Sequence, residues 1–126
     1  MSIFRRGTGG PGRVTAQDAA VRTGHVGGGA DAVLLDVRET YEWQAGHAPR
    51  AVHLPLSALA AGAGLPAQAQ ARPLVVICRS GNRSRRAAEL LVARGAQAVD
   101  VIGGMSDWAR AGLPVVDARG GSGTIA

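Results

Sequence analysis

The chain has 126 residues and holds one cysteine, no lysine, four aromatic residues and no long apolar run. A single cysteine excludes an intramolecular disulfide framework and any resolving thiol within the chain, which fits a reducing compartment. The longest apolar stretches, around 32 to 37 and 74 to 78, are strand-length and far short of the roughly 18 residues of a membrane span. The amino-terminal stretch "MSIFRRGTGGPGR" runs from two arginines straight into glycine without an apolar core, so no secretory signal is read and a cytoplasmic location is expected.

The absence of lysine means that all 14 basic residues are arginine, so a sequence pI of 11.2 overstates a formal charge of only +5. The aromatics Phe4, Tyr41, Trp43 and Trp108 lie away from the arginine cluster at 79 to 86. Without interleaved aromatics on a basic patch, nucleic-acid binding is not expected, and no membrane partner is expected either. His25, His47, His53 and Cys78 form no zinc-ligand spacing, so neither a metal nor another cofactor is expected.

With 46% hydrophobic and 3% aromatic residues, the chain can fill one core, built mainly from Ala, Val, Leu and Ile. Residues 1–12 are Gly-rich and aperiodic, as are 118–126, so two disordered tails are expected around a folded unit at 13–117. Within it, Thr15 with Asp18 marks a helix start and Gly24 a stop. Strand-like runs at 32–37, 51–56, 74–78 and 98–102 alternate with helical patterns near 39–46, 57–64, 84–95 and 103–112. That alternation predicts an α/β fold, three layers with a mostly parallel central sheet between helices. Ligands of such sheets bind beyond the carboxyl ends of the strands, which is where Cys78 falls.

Free cysteine is among the most buried residue types, so Cys78 taken alone reads as inert packing. Its surroundings argue otherwise. Arg79, Ser80, Gly81, Asn82 and Arg83 separate it from a helix beginning near Ser84, and Gly81 can take the positive φ that turns successive N–H groups inward. A helix N-terminus and such a nest favour an anion. A thiol of ordinary pKa, about 8.5, is only about 3% thiolate at pH 7, whereas a value of about 6.5 makes it about three-quarters ionised. Arg85 and Arg86 lie four and three residues before Glu89 and read as a solvated face, leaving Arg79 and Arg83 to attract a substrate.

Three ordered blocks carry a resemblance: "LLDVRETYEWQAGHAPRAVHLPL", "VVICRSGNRSRRAAELL" and "VIGGMSDWARAGLPV". Over roughly residues 13 to 116 the chain resembles a single-domain rhodanese of the rhodanese-like sulfurtransferase superfamily. The resemblance implies a thiosulfate sulfurtransferase in which Cys78 is the catalytic nucleophile and becomes a persulfide. Sulfane sulfur would pass from a donor such as thiosulfate to cyanide or a thiol. Residues Arg79, Ser80, Gly81, Asn82, Arg83 and Ser84 would bind the substrate. It also implies that Asp36 and Arg38 shape the site through hydrogen bonds and ion pairs without reacting, and that His47 is a structural residue on a turn. Ala48 and Arg50 depart from the usual residues of that turn.

Four residues separate Cys78 from Arg83, whereas phosphatases on similar folds place five between cysteine and arginine, so the ring here suits one sulfur atom better than a phosphate. Two alternatives remain at this point: a carrier that relays a persulfide between proteins, with a sulfur-relay protein as partner, and a non-catalytic regulatory rhodanese module. The intact cysteine and complete loop speak against the second.

Overall fold

A computed structural model describes residues 11–126. The expected disorder of the amino-terminal tail therefore falls, for residues 1–10, outside the described residues.

The elements are β1 (Arg13–Val14), α1 (Ala16–Arg22), β2 (Val33–Asp36), α2 (Thr40–Ala45), β3 (Val52–His53), α3 (Leu56–Ala60), a single 3-10 turn (Ala67–Ala69), β4 (Leu74–Ile77), α4 (Asn82–Ala93), β5 (Ala98–Val101) and α5 (Gly104–Arg110). The five strands form one parallel sheet in the order β1-β5-β4-β2-β3, with β4 at its centre. The fold is the three-layer α/β/α arrangement with a parallel central sheet expected from the sequence.

The layers follow from the two-residue period of a strand. Leu34, Val75, Ile77, Val99 and Val101 point to one face, where Met105 and Trp108 of α5 and Ala16, Ala19 and Ala20 of α1 cover them. Val33, Leu35, Leu74, Val76, Cys78 and Ala98 point to the other, beneath Leu59 of α3 and Ala87, Ala88 and Leu91 of α4. Burying a side chain such as Leu91 contributes about 1.5–3 kcal/mol, so α4 is fixed chiefly by this stripe. Trp108 is fully buried and donates its indole N–H to the Pro114 carbonyl at 2.9 Å, a packing residue of the last helix.

Three local features differ from expectation. The helix expected from Ser84 begins at Asn82, because Gly81 at φ 107° turns the chain two residues earlier. The strand β1 was not legible: two residues, Arg13 and Val14, are too short for any periodicity, and β1 exists through pairing with β5. The carboxyl-terminal stretch, expected to be disordered, folds back instead. The Thr124 N–H donates to the Ala45 carbonyl at 3.0 Å, Ala118 to Gln44 at 3.1 Å, and Ile125 packs against the core cluster that contains Met105 and Trp108. Gly46 and Gly123 permit the close approach, since a Cβ on Gly46 would collide with the Thr124 carbonyl.

Candidate active site

Cys78 follows the last residue of the central strand and is only 1% exposed. Its sulfur accepts the Gly81 N–H at 3.1 Å, and its thiol donates to Ser84 Oγ at 3.4 Å. Gly81 thus performs two tasks: it reverses the chain and it points a donor at the sulfur. A side chain there would strain the positive φ and press on Gly103 and Arg13.

The loop is held from below by α5. The Met105 N–H donates to the Cys78 carbonyl at 2.7 Å and the Ser106 N–H to the Arg79 carbonyl at 3.0 Å. These first-turn N–H groups would otherwise lack partners. Gly104, at φ 54°, makes the approach possible, because a Cβ on it would run into the Cys78 carbonyl.

The arginines expected in the loop part company. Arg79 is exposed, and its guanidinium has no partner among the described residues. Arg83 lies in the first turn of α4 and is committed to Glu42 of α2, donating from Nη1 to Oε1 at 2.6 Å and from Nη2 to Oε2 at 2.8 Å. Glu42 is 3% exposed and also accepts the Glu39 N–H at 3.0 Å. The Arg83 hydrogen bonds hold its carboxyl below the usual carboxylate range against the opposing effect of burial. The same pairing, again against burial, raises the Arg83 guanidinium further above its ordinary value. Arg83 therefore ties α4 to α2, a role that its place in the sequence did not disclose. Ser80 and Asn82 are exposed on the outer side of the loop, while Ser84 is fully buried beneath it. Arg85, Arg86 and Glu89 are exposed as expected, with no ion pair joining them.

Asp36 and Arg38 form a fully buried ion pair at the carboxyl end of β2, Nη2 to Oδ2 at 2.8 Å. The rest of the guanidinium is satisfied by the Gly46 carbonyl at 2.6 Å and the Glu42 carbonyl at 3.4 Å. Arg38 thereby binds the carbonyl end of α2 and sets the position from which Glu42 reaches Arg83. His47 lies on the turn after α2 and shares a hydrogen bond between Nδ1 and the Trp43 carbonyl at 2.6 Å. Its ring stacks on Trp43 at 3.6 Å, and His53 stacks at 4.8 Å, so Trp43 is occupied by two imidazoles. The turn with Ala48 and Arg50 is secured by the Arg50 N–H, which donates to His25 Nε2 at 3.0 Å.

Two residues that the sequence reading passed over stand behind Cys78. Ser84 Oγ donates to Asp100 Oδ2 at 2.8 Å, and Asp100 is 1% exposed. Arg13 closes on the same carboxylate, Nε to Oδ1 at 2.9 Å and Nη2 to Oδ2 at 3.1 Å, and Nη2 also donates to the Gly81 carbonyl at 3.1 Å. The hydrogen bond to Asp100 raises the Arg13 guanidinium above its ordinary value, with the charges of Asp100 and Cys78 adding to the effect. A signal for Asp100 did exist. It is the single charge in the strand "AVDVI", and its parity with Ala98 points it to the face that carries Cys78.

Comparison with known proteins agrees with this architecture. A family model for the rhodanese-like domain matches residues 23–111. The adenylyltransferase and sulfurtransferase UBA4 of Yarrowia lipolytica is 36% identical over 78 residues, which cover 62% of this chain and 20% of that protein. The adenylyltransferase and sulfurtransferase MOCS3-1 of Zea mays is 39% identical over 84 residues, 62% of this chain and 18% of that protein. The chain thus spans about a fifth of the length of these curated relatives. Among solved structures, a rhodanese-related protein from Thermoplasma volcanium superposes with a TM-score of 0.68 at 31% identity, covering 82% of this chain and 96% of that one.

Proposed function

The chain belongs to the rhodanese-like domain family, and from that premise we propose that it is a sulfurtransferase that moves sulfane sulfur through a persulfide on Cys78. The observation that carries this reading is the sulfur of Cys78 lying on the Gly81 N–H at the mouth of the 12-residue helix α4. An N–H donor and a helix N-terminus both attract an anion, which suits an anionic sulfur donor and the negative charge on the outer sulfur of a persulfide.

With thiosulfate as donor, the Cys78 thiolate attacks the outer sulfur. A new S–S bond forms at Cys78, the S–S bond of thiosulfate breaks, and sulfite leaves with the electron pair. An acceptor nucleophile, cyanide or a thiolate, then attacks the terminal sulfur and returns Cys78 as the thiolate. Cyanide leaves as thiocyanate, a thiolate as a persulfide. One cysteine is enough for both half-reactions, in keeping with the single cysteine of the chain. Arg79 supplies the cation that draws an anionic donor to the loop.

The test is intact-mass spectrometry after incubation with thiosulfate, alongside thiocyanate formation with cyanide. A gain of one sulfur atom on Cys78, absent in Cys78→Ser, is the expected result. Transfer retained in Cys78→Ser would sink the assignment.

A second reading rests on the relatives, which are named for both adenylyl and sulfur transfer and of which this chain matches only a fifth. In that reading the donor and acceptor are proteins, and the domain relays a persulfide between them. A persulfide on Cys78 that forms from a protein persulfide but not from thiosulfate would favour it over the small-molecule reaction.

A further inference from the structure

Resting on Cys78 as the nucleophile, we infer that Asp100 is a positioning residue that fixes the Ser84 hydroxyl as an acceptor toward Cys78, and so holds the thiol in its protonated form until that hydroxyl turns.

Both oxygens of Asp100 accept from Arg13, at 2.9 and 3.1 Å, so the carboxyl is ionised and has no proton to give. The 2.8 Å contact between Ser84 and Asp100 must then use the one proton of the Ser84 hydroxyl. That leaves Ser84 only lone pairs to offer Cys78 at 3.4 Å, and the thiol supplies the proton of that contact. A thiolate in the same place would face an oxygen lone pair, with the Asp100 charge behind it.

Ionisation therefore needs a rearrangement that the surroundings allow. The thiol proton leaves to solvent base, the Ser84 O–H rotates from Asp100 Oδ2 to the sulfur, and Asp100 keeps both contacts with Arg13. The charged groups around the sulfur come from every neighbouring element. Arg13 of β1 and Arg83 of α4 act on it as cations, Asp100 of β5 opposes it, Glu42 of α2 offsets Arg83, and Arg79 stands exposed in the loop. On the outer side of Asp100, a cleft of about 70 Å³ is lined by Arg85 and Glu89 as well as Arg13. Only Asp100 among these groups reaches Cys78 through a rotatable hydroxyl.

The experiment is the pH dependence of iodoacetamide alkylation of Cys78 in the full chain, a readout that needs no sulfur transfer. In Asp100→Ala the Ser84 hydroxyl loses its acceptor and its proton is free to turn to the sulfur, so alkylation at pH 6.5 should run about fivefold to tenfold faster. In the Ser84→Ala background the same substitution should lose more than half of that acceleration. Arg13→Gln, at a one-third exposed edge position, should act in the opposite direction and slow alkylation. A profile unchanged by Asp100→Ala, an acceleration equally large without Ser84, or an unchanged or faster rate in Arg13→Gln would overturn the inference. Any of these beside intact Cys78-dependent sulfur transfer would leave the proposed reaction standing, whereas transfer surviving Cys78→Ser would remove the reaction and leave the alkylation result untouched.

Discussion

Arg83 and Glu42, 41 positions apart in the sequence, meet through two hydrogen bonds of 2.6 and 2.8 Å and join the first turn of α4 to α2. The first turn of α4 is also one wall of the Cys78 loop, so the pair fixes the loop from outside. Glu42→Gln keeps the shape but removes the charge and half of the acceptor capacity. A hydrogen bond to a charged group contributes about 1.5–3 kcal/mol, and the loss expected in urea unfolding is about 2 kcal/mol. The carboxyl is held below its ordinary range, so the stability it contributes is present above the unfolded value of about 4.3 and is lost as pH falls through the lowered folded value. The acid limb of the wild-type stability curve should therefore flatten in Glu42→Gln below about pH 4; an unchanged limb would show that the pair contributes nothing to folding.

Asp36 and Arg38 present a different case, because neither side chain is exposed at all. Removing one partner strands the other charge in the interior, where such losses cost about 3–5 kcal/mol. Asp36→Ala should leave the chain largely unfolded or strongly destabilised at 25 °C. Arg38→Met together with Asp36→Leu should recover part of that stability, because no charge is left behind. Recovery of stability without recovery of sulfur transfer would show that the pair also places α2 and, through it, Glu42. Equal stability of the single and double variants would contradict the burial argument.

The contrast between these two pairs shows what could be read from the chain in advance. Strands and helices were legible because the apolar runs have the right length and period, and Cys78 with Gly81 was legible because a polar loop with a glycine between a strand-like run and a helical pattern marks a tight turn at a helix N-terminus. Asp36 and Arg38 are two residues apart, and the resemblance to rhodaneses already placed them as structural. The Arg83 partner was not legible, since a contact over 41 positions depends on how α2 packs beside α4. Arg13 was invisible for the same reason: its strand has two residues and forms only against β5. The folded carboxyl terminus was missed because glycine-rich composition signals freedom, while here Gly46 and Gly123 use their missing side chains for close backbone contact.

His25 carries a second pH-dependent contribution, distinct from that of Glu42. Thr23 Oγ1 donates to the Ala19 carbonyl at 2.7 Å, so its 2.8 Å contact with His25 must take the proton from Nδ1. Nε2 accepts from the Arg50 N–H, which leaves a neutral ring with one defined tautomer, edge-on to Trp108. Burial, with the charge of Arg50 assisting, lowers its pKa to about 4. Since the folded value lies below the unfolded one, the stability is fully present above about pH 6.5 and declines as pH falls toward 4. Thermal unfolding should show a melting temperature that drops across this window, and His25→Asn, which retains an N–H for Thr23 but does not titrate, should start lower and drop less. Parallel curves for the two proteins would remove His25 as the cause.

Arg79 and Arg83 invite a direct comparison, because the loop offers both as cations for an anionic donor but only Arg79 is unengaged. An exposed charge acting on a bound anion contributes about 0.2–1 kcal/mol, so Arg79→Ala should raise the KM for thiosulfate about twofold to fivefold and leave kcat nearly unchanged. The effect should shrink in about 1 M salt, where the screening length falls to about 3 Å. Arg83→Ala should behave otherwise, lowering stability by the loss of the Glu42 pair and depressing kcat as the first turn of α4 loosens around Cys78. Rescue would separate the two roles: Glu42→Gln combined with Arg83→Gln restores a neutral hydrogen-bonded pair and should recover kcat without changing the salt dependence of KM. If Arg79→Ala leaves KM unchanged at low salt, while Arg83→Ala raises it in a salt-sensitive way with kcat intact, the donor is drawn by Arg83 in spite of its pairing, and the division of labour between the two arginines is the reverse of the one drawn from the geometry.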